Sequence, residues 1–96
     1  MFASVRIYDG VTDIEAVSSA AETRIAPLLQ KHDGMVSYTL VNVGHGSVIS
    51  IGIFETREQA AEANRMVREL AQTEFKHLMP RLPIARVGEI VGHFGK

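Results

Sequence analysis

The sequence predicts an α+β domain built as strand, helix, strand, strand, helix, strand. Two observations predict it. The first is the order of hydrophobic periods along the chain: two-residue alternation, helical spacing, a long hairpin, helical spacing, and a closing β-rich run. The second is a surplus of strand hydrophobicity. Met35–Val43 and Ser47–Phe54 flank the short loop Gly44-His45-Gly46, and Val48, Ile49, Ile51, Ile53 and Phe54 leave the second run with no consistently polar face. A sheet with one wet side alternates apolar and polar residues. These strands read as buried on both sides, whereas two helical segments suffice to cover only one. A second copy of the chain is the simplest cover for the other. The expected architecture is therefore a ferredoxin-like βαββαβ domain with a four-stranded antiparallel sheet, dimerising through the sheet face into an α/β barrel.

Each element has its own signal. Phe2–Tyr8 reads as a strand with Ala3, Val5 and Ile7 on one face and Ser4, Arg6 and Tyr8 on the other, ended by Asp9-Gly10. Thr12 and Glu15 form a capping-box pattern, with Thr12 as N-cap. The helix that follows runs to about Lys31, with Ile14, Val17, Ala21, Ile25 and Leu28 as its apolar stripe. Pro27 lies inside it and should bend or break it. Asp33-Gly34 closes the segment, and Gly44-His45-Gly46 turns the hairpin. Thr56 and Gln59 give a second capping box, opening a helix to about Leu78 with Ala60, Ala63, Val67, Leu70, Ala71 and Leu78 buried. Pro80 and Pro83 stop it, Ile84–Val91 forms the last strand, and residues 92–96 form a tail.

Bulk properties restrict function. Ninety-six residues, 46% hydrophobic and 22% charged, make one globular domain over residues 1–96. The net charge of −1, with acids and bases interspersed, argues against a nucleic-acid partner and gives no polybasic membrane surface. With no cysteine, disulfides, thiolate catalysis and Cys-ligated metals are excluded. The first residues do not read as a secretory signal and no apolar run approaches membrane-spanning length, so the expected location is the cytoplasm and no membrane partner is expected.

The stretches Asp33-Gly34-Met35-Val36-Ser37-Tyr38, Phe54-Glu55-Thr56-Arg57-Glu58-Gln59-Ala60-Ala61-Glu62-Ala63-Asn64, Leu78-Met79-Pro80 and Val87-Gly88-Glu89-Ile90 resemble the antibiotic biosynthesis monooxygenase domain. The likeness covers nearly the whole chain, and its motifs record a turn, a core and a helix cap. It implies a dimeric α/β barrel and, among the family's activities, a cofactor-independent monooxygenase that acts on or binds a small phenol or quinol. Haem-degrading relatives carry an Asn on the first strand and a Trp and a His on the second helix. Here those helix positions fall on Asn64 and Glu74, the first strand has no Asn, and the chain has no Trp. The resemblance thus does not extend to haem degradation, and no cofactor is expected.

Candidate chemistry rests on few residues. Glu74 projects, at helical spacing, near the middle of the second helix's apolar stripe. There it is either a desolvated acid–base group or half of an ion pair with Arg6 or Arg24. His77 follows by three positions and is either poised by Glu74 or a solvated histidine at a helix C-terminus. Asn64 flanks the stripe and either bonds backbone or points into a pocket. These three are the candidate catalytic set. Arg6 and Tyr38 are the candidate substrate-binding residues: Arg6 if its strand face lines the barrel, being structural if that face meets the helices or an edge, and Tyr38 if it is a pocket wall and not core with a satisfied hydroxyl. His32, His45 and His93 have no partners at metal-binding spacing, so no metal site is expected. The alternative to an enzyme is a dimeric small-molecule-binding or stress-response protein without chemistry.

Overall fold

The computed structural model describes residues Met1–Lys96. Its strands are β1 (Phe2–Tyr8), β2 (Met35–Gly44), β3 (Ser47–Phe54) and β4 (Ile84–Glu89). They form one antiparallel sheet in the order β2-β3-β1-β4, the ferredoxin-like arrangement. No helix is long and apolar enough to cross a membrane.

The first helical arm is α1 (Ile14–Ala20), a π turn over Ala21–Ile25, and α2 (Ala26–Gln30). Its N-cap is Asp13, whose carboxylate accepts from the Ala16 amide at 3.1 Å. The expected cap, Thr12, instead donates its hydroxyl to the His77 carbonyl at 3.2 Å and its amide to the Leu78 carbonyl at 3.1 Å, tying this loop to residues 77 and 78. Pro27 neither breaks nor simply bends the arm. Its missing N–H leaves the Thr23 carbonyl without its usual donor, and the helix widens upstream, with the Ala26 amide reaching back five residues to the Ala21 carbonyl. The wide turn shifts the helical phase. Leu29, 1% exposed, takes the core position expected of Leu28.

The second arm is α3 (Arg57–Thr73), opened by a complete capping box between Thr56 and Gln59, at 3.2 and 3.0 Å. It buries Ala60, Ala63, Val67 and Ala71. It ends at Thr73, five residues before the expected Leu78. The Phe75 amide reaches the Leu70 carbonyl, and the chain then turns so that Met79 is buried, with Phe75 and Leu78 packed beside it.

All helical segments cover one sheet face. On it β1 presents Ser4, Arg6 and Tyr8, and β3 presents Val48, Ser50, Gly52 and Phe54, every one buried. Two apolar clusters form there. One joins Phe54, Leu29, Ile25 and Val67; the other joins Tyr8, Val48, Val17 and Met79. The opposite face carries Ala3, Val5 and Ile7 paired with Ile53, Ile51 and Ile49, none of them fully buried within one chain. The two-sided hydrophobicity of β3 is thus present in the fold, and one of its sides is open.

Candidate functional site

The strand register places a polar strip between the two apolar clusters. Phe2 pairs with Phe54 at one end of β1 and Tyr8 with Val48 at the other; Ser4 with Gly52 and Arg6 with Ser50 lie between. The lack of a side chain at Gly52 matters here. A Cβ there would meet the Phe54 ring at 2.9 Å, with the Tyr38 ring also close, so glycine lets both rings lie across the strand.

Arg6 is the centre of this strip. It is 3% exposed and donates from Nη2 to the Asn64 backbone carbonyl on α3. Its Nε and the Asn64 side-chain Oδ1 are buried without hydrogen-bond partners. No carboxylate pairs with it. Burial draws the Arg6 pKa below its ordinary value, opposed by the neighbouring Tyr8 and Tyr38 and reinforced by Arg68. Burial also raises both tyrosines, Tyr8 against the nearby Arg6 charge, and Tyr38 to about 12. Both phenols are neutral hydrogen-bonding groups at physiological pH.

Two voids adjoin the strip. A small one, about 10 Å³, is lined by Ser4, Arg6, Tyr38, Ser50 and Gly52 under α3; that is room for about one water. A larger cleft of about 440 Å³ opens above Tyr8, walled by Ala71, Met79, Pro80 and Pro83 and rimmed by Arg68, Gln72, Lys76 and Arg81. Tyr8 is the shared element: its hydroxyl lies beside Arg6 and its side chain forms part of the cleft.

The expected site residues divide. Arg6, Tyr38 and Asn64 converge on the strip, which faces the helices and not a barrel interior, the placement that for Arg6 implies a structural role. Glu74 does not join them. It is the C-cap of α3, still helical in its backbone, and at this end of the stripe it meets the first helical arm: it grips Arg24 with both oxygens, at 2.6 and 3.1 Å, the two side chains being 44% and 56% exposed. Of its two readings, the ion pair with Arg24 is the one observed. His77 is exposed, lines neither void, and contributes its backbone carbonyl to Thr12. No cluster of three or more His, Asp or Glu side chains is arranged to hold a metal ion.

Tyr8 and the cationic rim were not singled out in the sequence. Their signals were present, in the alternation Ser4, Arg6, Tyr8 and in the four-residue spacing of Arg68, Gln72 and Lys76.

No protein-family model matches the chain, and no curated protein matches it in sequence. Solved structures do. A monooxygenase from the gene ActVA-Orf6 of Streptomyces coelicolor, in complex with nanaomycin D, superposes with a TM-score of 0.76 at 17% identity, over 99% of this chain and 91% of that one. SnoaB, a cofactor-independent oxygenase from Streptomyces nogalater, gives 0.75 at 14% identity over 99% and 97%. A dimeric ferredoxin-like protein from an uncultured marine organism gives 0.67 at 9% identity over 99% and 97%. A protein of unknown function from Nitrosomonas europaea has the same fold, with a TM-score of 0.73 at 13% identity over 99% and 93%. The chain therefore has the ferredoxin-like fold of the antibiotic biosynthesis monooxygenases, and at these identities the likeness concerns the fold alone.

Proposed function

We propose that this protein binds a small phenol or quinol in the cleft over Tyr8 and acts on it as a cofactor-independent monooxygenase. The observation that carries the reading is Arg6: a buried guanidinium with no carboxylate partner and an unpaired Nε, set behind a tyrosine that borders an open cleft. Burying a charge is expensive, and an arginine that serves packing alone is ordinarily matched by a buried acid. The fold shared with cofactor-independent oxygenases supplies the reaction class. In such a reaction the substrate is its own reductant: a phenol with a free ring C–H and O2 give a quinone and water, one oxygen atom forming the new carbonyl and the other leaving as water.

In this proposal the chain's contribution is electrostatic. Arg6 and Arg68 favour the phenolate over the phenol, because nearby positive charge stabilises an anion. Tyr8, protonated, donates to developing oxyanions in the cleft, while Tyr38 and Asn64 lie in the closed layer beneath it beside Arg6. Glu74 and His77, which line neither void, have no part in this scheme, and the substrate enters as the anion. A second reading, binding without turnover, is favoured by one observation. The layer beneath Tyr8 is closed down to about 10 Å³, and no carboxylate or imidazole lines either void. An oxygen electrode with a panel of hydroquinones and naphthols decides between them. Stoichiometric oxygen uptake with quinone absorbance supports the enzyme; calorimetric binding with no uptake supports the binder.

The open sheet face supports a further proposal, that two copies pair through it to close a barrel. The dimeric state of the marine ferredoxin-like protein is consistent with it.

A further inference from the structure

The rim of the cleft carries more positive charge than a single phenolate requires. Arg68, Lys76 and Arg81 stand around it with Gln72, and no aspartate or glutamate is among the lining residues. None of the three cations is in an ion pair; the salt bridges of the molecule are Arg24–Glu74, Arg65–Glu62 and Arg65–Glu69. Arg81 lies across Gly10, where a Cβ would come within 2.9 Å of its Nε, so a glycine seats this side chain against the backbone. The chain as a whole is net negative, at −1, so three unpaired cations around one opening are a local arrangement and not a reflection of bulk charge. The rest of the lining is apolar: Ala71 and Met79, both buried, with Pro83 half-buried and Pro80 and Leu82 exposed. At about 440 Å³ the cleft has the size of a small-molecule site.

We propose that this cleft selects organic acids, compounds with an aromatic ring and a carboxylate, over their neutral analogues. The ring would lie against Met79, Pro80 and Pro83 above Tyr8, and the carboxylate would be held at the rim by Arg68, Lys76 and Arg81. Guanidinium groups match the planar carboxylate by paired N–H donation, and the lysine adds a point charge. The inference rests on the reading of the cleft as the aromatic-binding site and names the class of molecule it takes. A phosphate group shares the same oxyanion chemistry, so inorganic phosphate is one arm of the test.

The experiment is titration calorimetry at low ionic strength with naphthoate, naphthol and inorganic phosphate. Naphthoate should bind at least about tenfold more tightly than naphthol, and added salt should shrink the difference by screening exposed charges. Arg68→Gln and Arg81→Gln should each reduce the preference severalfold. Lys31→Gln, a cation outside the cleft, should keep it. Circular dichroism confirms that the variants are folded. Equal affinity for naphthoate and naphthol overturns the selection of acids while leaving the aromatic site intact. Binding of phosphate with neither naphthalene compound, or binding of none of the three, overturns this inference and the aromatic-binding reading together.

Discussion

Arg6 shows what one side chain can reveal about a fold. A guanidinium in the helix–sheet layer loses its hydration, and here it recovers one bond to the Asn64 carbonyl while its Nε stays unpaired. Replacing such a charge by an apolar group of similar length is commonly neutral or stabilising. Arg6→Met is therefore expected to keep or raise the Tm in calorimetry while abolishing phenol binding. A lowered Tm with binding intact would make Arg6 a structural pin. Tyr38 gives a second prediction, on pH. Its folded-state pKa, about 12, lies above its ordinary value of 10.0. Above pH 10 the unfolded chain loses this proton while the folded chain keeps it, so stability falls as pH rises from about 10 to 12, by up to about 2–3 kcal/mol. Tyr8 is shifted in the same direction. Tyr38→Phe should flatten this alkaline limb in denaturant titrations, and an unchanged limb would refute the assignment. Alternation divided β1 correctly into two faces but did not say which faces the helices. The more apolar set, Ala3, Val5 and Ile7, suits an interior, yet the structure turns Ser4, Arg6 and Tyr8 toward the helices. Local pattern does not resolve this choice, because both faces of the sheet are apolar enough to be buried.

At the scale of elements, capping chemistry was legible and helix ends were less so. The Thr56–Gln59 box formed as its spacing requires, because both partners are local. It also constrains a neighbouring turn. Gly34 has φ +84°, and a Cβ there would collide with the Gln59 side-chain amide that completes the box. Thr56→Ala should cost about 1 kcal/mol. Gly34→Ala should cost more, roughly 2–3 kcal/mol, because it combines left-handed strain with loss of the box. Urea titration of the two variants checks the order, and a milder effect for Gly34→Ala would contradict the coupling. The end of α3 was misplaced because the helical stripe continues through Leu78 in sequence, whereas the tertiary packing of Phe75, Leu78 and Met79 against Tyr8 and Val48 draws the chain out of the helix. Glu74, which caps this end with helical dihedrals, meets Arg24 at the surface. Its bridge to Arg24 is solvent-exposed, and exposed pairs contribute little. Glu74→Leu should leave the Tm nearly unchanged; a large drop would show that the bridge clamps the two helical arms.

For the whole molecule, the open sheet face sets the main constraint. Val5 pairs with Ile51, Ile7 with both Ile49 and Ile84, and Val41 with Ile49, so apolar side chains run across all four strands of this face. Ile84 and Val41 are 53% and 38% exposed, and helices cover only the opposite side. A continuous apolar surface of this kind marks an interface in a soluble protein. Its best proposed occupant is a second copy, because twofold pairing presents the same surface from both sides and needs no other molecule to be complementary. The cleft over Tyr8 lies on the helix side, so such pairing leaves the proposed ligand site to each chain. Light scattering after size exclusion should give about twice the 10.5 kDa chain mass. Ile51 is the most informative position to change. It lies mid-strand on β3, between Val5 on β1 and Thr39 on the edge strand β2. Ile51→Asp would place a carboxylate in the middle of the proposed interface at a desolvation cost; the cation in its cross-strand row, Arg86, lies two strands away beyond Val5. The variant should dissociate to monomers or unfold. Dimers that persist with Ile51→Asp and also with Ile49→Asp would show that the chains associate elsewhere. A wild-type chain that stays a stable monomer at micromolar concentration would show that an apolar sheet face of this extent can stand in water uncovered.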